Sequence, residues 1–253
     1  MRIAVAGGTG VAGHYAVEAA RQAGHETAVL SRRNGVDLTT GAGLAPALEG
    51  VNVIIDATNT RTQDRVKATS FFTAVAAQLQ RTGSEQGVAG LVVLSIVGLE
   101  RVPSGYFQAK LAHEAAAVDG PLDVHVVRAT QFHEFPGQIV RRARFGPVAL
   151  APRMVVQSIA ARTVGEILVE VAASADASPR LEIAGPAKEY LPDLAQAIVH
   201  RQGKRVVVLP FSVPGKGGAA MRSGGQLPVG DVRVAGPTFT EWLQGDDPLN
   251  IAP

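Results

Sequence analysis

Residues 6–13 read Ala6-Gly7-Gly8-Thr9-Gly10-Val11-Ala12-Gly13, and the fold turns on how this stretch is interpreted. It follows the apolar run Ile3–Ala6 at once and opens a segment of helical periodicity, Gly10–Ala23, that Gly24 stops. Glycine at Gly7 permits a tight turn, at Gly10 lets backbone N–H groups approach a pyrophosphate, and at Gly13 lets the helix lie close on its strand. Unpaired N–H groups and the positive end of the helix dipole complete an anion site. The stretch therefore predicts a dinucleotide cradle made by Gly7, Thr9, Gly10, Val11 and Gly13. A turn that merely packs a helix against a strand is the alternative.

Outward from this turn, apolar runs alternate with helical patterns. Ile3–Ala6, Thr27–Ser31, Val51–Ala57, Leu91–Ser95 and Val124–Arg128 read as buried strands, with further helices over about 62–81 and Tyr106–Val118. Nearly continuous Val, Ile and Leu between helices predicts a parallel sheet covered on both faces, an α/β Rossmann-type doubly wound fold. The second half is less regular. Val155–Ala173 and Leu191–Arg201 carry helical periodicity, Leu181–Ala184 and Val206–Leu209 read as short strands, and a turn of helix over Phe239–Leu243 follows. The glycine-rich stretch around Lys216–Gln226 reads as a loop or a mobile cover. The expected organisation is a dinucleotide-binding core over 1–135 and a small irregular substrate-binding region over 136–253, packed on the core rather than independent.

Composition sets bounds. The chain has 253 residues, 46% hydrophobic and 5% aromatic, so its core is built from aliphatic side chains rather than rings. A net charge of +2 gives no strong pull toward nucleic acid or membrane. Cysteine is absent, which excludes disulfides, thiolate nucleophiles and cysteine-based metal sites. The glycine turn begins too early for a signal peptide's apolar region, and a cytoplasmic protein is expected. The histidines show no metal-ligand spacing, so no metal site is predicted.

Where the second strand ends, a dinucleotide fold selects its cofactor: an acid there holds the ribose hydroxyls of NAD, and arginine accommodates the extra phosphate of NADP. This chain has Ser31-Arg32-Arg33 there, and no acid before Asp37. Guanidinium groups suit bidentate phosphate contacts, so NADP(H) is predicted; ordinary surface charge is the alternative. Asp37 is expected to close a short third strand near the adenine. Asp56-Ala57-Thr58-Asn59 ends another apolar run with small and polar residues, where ligands sit in open α/β sheets, and Ala57, Thr58 and Asn59 are assigned to the cofactor.

With Ser95 ending a further run and Gly105-Tyr106-Phe107-Gln108-Ala109-Lys110 behind it, the chain resembles the short-chain dehydrogenase/reductase superfamily, and more narrowly its atypical NmrA-like, NAD(P)H-binding branch. The resemblance covers roughly residues 1–135, through AGGTGVAG, VLSRR, VIIDATN, VVLSIVG, GYFQAK and RATQFHEF. It implies Tyr106 as proton donor, Lys110 lowering the phenol's pKa and binding the nicotinamide ribose, and Ser95 orienting a substrate carbonyl, with Ser104 a possible substitute. Residues four apart share a helix face. Ionising a phenol at pH 7 costs about 4 kcal/mol, and a cation about 4 Å away at an effective dielectric near 20 offsets about that much. The alternative leaves Tyr106 packed at a helix start and Lys110 solvated.

Gln131, Phe132 and His133 follow the last of the first-half strands and are expected at a small-molecule substrate; a structural histidine is the alternative. Glu134 reads as a helix start. Arg141-Arg142 with Arg144 is the densest basic cluster and reads as a solvated helix edge rather than a nucleic-acid contact. Two functions follow: an NADPH-dependent reductase of a carbonyl or conjugated carbonyl on a small apolar molecule, or a non-catalytic NADP(H) sensor. A redox-neutral reaction in the same cleft is a third.

Overall fold

A computed structural model describes residues 1–245; the last eight residues of the expected substrate region, 246–253, lie outside the described residues. The chain runs β1 (Arg2–Ala6), α1 (Val11–Gln22), β2 (Glu26–Leu30), α2 (Leu44–Ala47), β3 (Val53–Asp56), α3 (Arg65–Glu85), β4 (Gly90–Ile96), α4 (Gly105–Val118) and β5 (Asp123–Ala129). Then come α5 (Phe135–Arg142), β6 (Arg144–Phe145), β7 (Val148–Pro152), β8 (Val155–Val156), α6 (Ala161–Ala173), β9 (Arg180–Ala184) and β10 (Glu189–Tyr190). Finally α7 (Leu191–Arg201), β11 (Val207–Phe211), α8 (Gly215–Arg222), β12 (Arg233–Val234) and α9 (Phe239–Gln244) complete the described chain. Seven strands form a parallel sheet in the order β12-β9-β5-β4-β3-β1-β2, the Rossmann-type arrangement expected from the alternation of apolar runs and helices.

The chain folds as two compact units. The first comprises Met1–Ile96, Ser104–Arg128 and Arg162–Leu181; the second comprises Val97–Pro103, Ala129–Ala161 and Glu182–Pro253. Residue 135 falls inside a segment of the second unit.

In the first unit β1 lies between β2 and β3, so strand order reverses there, the position at which open α/β sheets bind ligands. Register brings the carboxyl ends together: Ala6 pairs with Leu30 on one side and Asp56 on the other, and Asp56 pairs with Val93. The loops that start at Gly7, Ser31 and Ala57 therefore leave the sheet side by side. Alternate residues Ala4, Ala6, Ile54, Leu91 and Val93 pack with Val75, Ala76 and Leu79 of α3 and with Leu44 of α2. The opposite alternation, Ile3, Val5 and Ile55, is also buried, as a sheet covered on both faces requires. α6 lies against α1 so closely that a Cβ on Gly165 would come within 2.6 Å of the Ala16 nitrogen. The Arg162 guanidinium covers the Tyr15 ring at 4.7 Å and pairs with Glu18 at 3.2 Å.

In the second unit, β11, β7 and β6 make a three-stranded sheet. One face, Ala149, Ala151 and Val208, packs on Val140 of α5 and Ala195 and Val199 of α7. Met154, Val156, Leu191, Leu194, Ile198 and Phe239 form a second cluster. The helical periodicity of Val155–Ala173 resolves into β8, an extended break, and a helix that starts only at Ala161. Of the glycine-rich stretch read as a loop or a mobile cover, Gly215–Arg222 forms α8 and the residues after it a turn; a Cβ on Gly217 would lie 2.8 Å from the Pro103 carbonyl. The turn after it is tied to Val97–Pro103, where Arg101 Nε donates to the Gly225 carbonyl at 3.0 Å.

Candidate functional site

The glycine turn is built by close backbone contact. Gly7 sits at φ +73°, and a Cβ there would stand 2.6 Å from the Ala57 carbonyl oxygen. A Cβ on Gly13 would run into the Gly7 carbonyl. Gly10 donates its N–H to that same carbonyl at 2.8 Å and caps α1, which begins at Val11. Thr9 and Gly10 are exposed at the helix N-terminus, where free N–H groups face outward.

Beside this turn, Ser31 opens a short 3-10 turn, Arg32–Asn34, and both Arg32 and Arg33 are exposed. Asp37 lies elsewhere than expected: no strand forms there, and its carboxylate is spent on its own turn. It accepts from the Thr39 hydroxyl at 2.6 Å and the Thr39 N–H at 2.8 Å, and these bonds hold it below the usual carboxylate range.

Three side-chain hydroxyls at the carboxyl edge of β2, β3 and β4 are buried without a hydrogen-bond partner: Ser31 Oγ, Thr58 Oγ1 and Ser95 Oγ. Leaving a buried hydroxyl unmade costs about 1–3 kcal/mol. Three such groups on one edge, Ser31 and Thr58 just past their strands and Ser95 at the penultimate position of β4, fit a polar ligand lying along that edge.

α4 carries Tyr106 and Lys110 one turn apart, and the structure sends them to different partners. The Tyr106 hydroxyl donates to Asn59 Oδ1 at 2.7 Å. Lys110 is buried, its ammonium donating to the Leu94 carbonyl and to His113 Nδ1, both at 2.9 Å, and lying 4.7 Å over the Phe72 ring. His113 Nε2 in turn meets Asp56 Oδ2 at 2.9 Å, with both side chains fully buried. Since an ammonium can only donate and a carboxylate only accept, His113 is the neutral imidazole with its proton on Nε2. The chain is thus Lys⁺, neutral His, Asp⁻.

The electrostatics follow. Burial pushes the Lys110 ammonium down to about 8, against the pull of Asp56 and Glu114. Burial lowers His113 too, and the neighbouring ammonium lowers it further. For Asp56, burial alone would raise the carboxyl; the His113 ring, the Thr58 N–H and Lys110 outweigh it and hold the group at about 2. Tyr106 is pushed up to about 12 by burial. The expected arrangement, in which Lys110 activates the phenol and reaches a ribose, is therefore not the one built here: all the ammonium's interactions point into the core beneath the helix.

Ser95 is placed at the carboxyl end of β4, nearly fully buried, while Ser104 stands at the N-cap of α4 with no side-chain cap bond. In the second unit His133 is fully buried: its Nε2 donates to the Pro237 carbonyl at 3.1 Å, and its Nδ1 accepts from the Ser158 hydroxyl at 2.8 Å. Phe239 and Trp242 pack on its ring. Both nitrogens are taken, so the expected substrate contact becomes a structural one. Gln131 and Phe132 are half-buried, Phe132 bridging to Ile159. Glu134 stands at the N-cap of α5, its carboxylate accepting from Ala161 N–H at 3.4 Å. Sequence reasoning missed the Asp56–His113–Lys110 chain. The signal was present: an aspartate ends an otherwise apolar buried run, and His113 follows Lys110 on the same helix face.

No family model and no curated protein matches the chain. Among solved structures, MoeE5 with UDP-glucose and NAD superposes at TM-score 0.70 with 17% identity, covering 84% of this chain and 86% of its own. The NADPH-dependent quinone oxidoreductase QOR2 of Escherichia coli, complexed with NADPH, matches at TM-score 0.68 and 17% identity over 89% of this chain and 91% of its own. A short-chain dehydrogenase/reductase superfamily protein of Agrobacterium tumefaciens with bound NAD matches at 0.69 and 17% over 96% and 95%. The neighbours are NAD(P)-dependent reductases, epimerases and dehydratases, and at these identities the likeness establishes a shared Rossmann-type fold.

Proposed function

We propose that the chain is an NADPH-dependent oxidoreductase of the short-chain type, in its NmrA-like branch, reducing a carbonyl or conjugated carbonyl on a small apolar molecule. The single observation that carries this reading is the alignment of the glycine turn with three unpartnered hydroxyls, Ser31, Thr58 and Ser95, along one sheet edge. Gly7, Gly10 and Gly13 would admit the pyrophosphate to the N-terminus of α1, and Arg32 and Arg33 the 2′-phosphate. Bound there, NADPH would supply hydride.

Ser95 would hydrogen-bond the carbonyl oxygen and so stabilise its developing charge. Tyr106 would give the proton. A phenol held up at about 12 stays protonated at neutral pH, which suits a donor in the reductive direction and disfavours the reverse, where a phenolate is required. Lys110 would act at one remove: with His113 and Asp56 it fixes the helix that carries Tyr106.

The inward commitment of Lys110 favours a second reading, a non-catalytic NADP(H)-binding sensor. NADPH oxidation across a panel of carbonyls and quinones separates the two. Turnover with at least one member, lost in Tyr106→Phe while nucleotide binding is kept, supports the reductase. Binding without turnover on any member supports the sensor, and no binding of either reduced nucleotide removes both.

A further inference from the structure

The three-stranded sheet of the second unit has one face on α5 and α7; the other is apolar where water-facing positions are ordinarily polar. Register puts Phe145, Val148 and Val207 in one row across the strands, and Leu150 and Leu209 in the next. Phe145 is 69% exposed, Val207 57% and Leu209 46%, and Val148 and Leu150 are half-buried. Every outward position along these rows is aliphatic or aromatic, and contiguous exposed apolar surface of this kind marks an interaction site.

Cationic side chains flank one end of this face: Lys204 and Arg205 lead straight into β11 and both are exposed, whereas Arg144 of β6 pairs with Ala149, in the row that faces α5 and α7. Because Val207 pairs with Val148, which pairs with Phe145, Lys204 and Arg205 precede the same row that Phe145 starts.

We propose that this face is a peripheral docking surface for an anionic phospholipid bilayer, with Phe145, Val207 and Leu209 entering the interface and Lys204 and Arg205 meeting the headgroup charge. Exposed apolar side chains beside lysine and arginine are the interfacial pattern, and no described helix is long and apolar enough to cross a membrane. A second copy of the chain is disfavoured as occupant because it would bring the same cations together.

The test is co-sedimentation of the full chain with vesicles of phosphatidylcholine alone or with about a third of phosphatidylglycerol. The wild type should sediment with the anionic vesicles and stay in solution with the neutral ones, weakening as salt is raised. Phe145→Ser with Leu209→Ser should weaken binding by at least about tenfold. Replacing Lys204 and Arg205 by Gln should weaken it roughly fivefold per cation and about twenty-five-fold together. Unchanged melting temperatures would show that the variants fold. The proposal is overturned if the wild type fails to bind anionic vesicles or if both variants bind as well as it does. Concentration-dependent self-association without lipid, abolished by Phe145→Ser, would also overturn it. Vesicle binding is read without cofactor, so its failure is distinct from failure of the reductase reading.

Discussion

The ammonium of Lys110 sits 2.9 Å from His113 Nδ1 and is directed into the core, one helical turn from a tyrosine whose hydroxyl is bonded elsewhere, to Asn59. A Tyr-x-x-x-Lys spacing places two side chains on one face of a helix; it does not decide which neighbours they choose. Here a buried aspartate on β3 and an imidazole on α4 claim the lysine.

Lys110→Met tests that claim. Removing one member of a buried charged chain leaves Asp56 uncompensated and should cost about 3–5 kcal/mol of stability, read as a lower urea midpoint. NADPH affinity, measured by calorimetry, should stay as in the wild type. A large loss of affinity in a well-folded variant would show instead that Lys110 turns to the cofactor.

Acid should unfold the protein in two stages. Unfolded histidines take up protons near pH 6.5, whereas His113 is held lower by burial and Lys110, and His133 is held down at about 4. Their contribution is complete above about 6.5 and is lost as pH falls toward 4; for His133 alone it amounts to about 3 kcal/mol. Asp56, lowered to about 2, contributes above the ordinary aspartate range and loses that as pH drops through about 2, a further loss of about 2 kcal/mol. Urea midpoints measured against pH should slope downward below neutrality, with a shallower slope in His133→Phe. A flat profile between pH 7 and 4 would contradict the buried neutral imidazoles.

Gly7→Ala and Gly13→Ala should both abolish nucleotide binding, since the methyl on Gly7 would meet the Ala57 backbone beside the turn and that on Gly13 the Gly7 carbonyl within it. Gly24→Ala is the control. Gly24 also has positive φ, at +77°, but nothing lies within 4 Å of its absent side chain. It should lose only about 1 kcal/mol of stability, and calorimetric affinity for NADPH should not change.

The proposed reading requires that NADPH bind better than NADH and that Arg32→Ala with Arg33→Ala erase the difference by weakening NADPH alone, by at least about tenfold. Titration with both nucleotides reads this directly. Equal weakening of the two would mean the arginines serve general attraction and not recognition of the 2′-phosphate.

Where local pattern dominates, the sequence was a good guide. The runs at Ile3–Ala6 and Val124–Arg128 and the helix at Leu191–Arg201 appear within a residue of their expected ends, because continuous apolar runs and helical periodicity need no distant partner to be read. Asp37 misled for a complementary reason: an acid after β2 reads as the end of a short third strand near the adenine, yet no strand forms there and an Asx-type bond to Thr39 two residues on satisfies it locally. The buried chain of Lys110, His113 and Asp56 joins residues more than fifty positions apart, and no spacing rule links β3 to α4. His133 reads as a substrate contact from its place just after β5, but Ser158 and Pro237, which occupy its nitrogens, come from distant segments.

The interleaving of the two compact units bears on how the polypeptide is made. The first unit is completed only by Arg162–Leu181, whose helix clasps α1 through Gly165 and Arg162. During synthesis, Ala129–Ala161 of the other unit must therefore emerge from the ribosome before the first can close. A fragment ending at residue 135 would leave Tyr15 and Ala16 bare, so shortened expression products are prone to aggregate rather than to yield a working nucleotide-binding half.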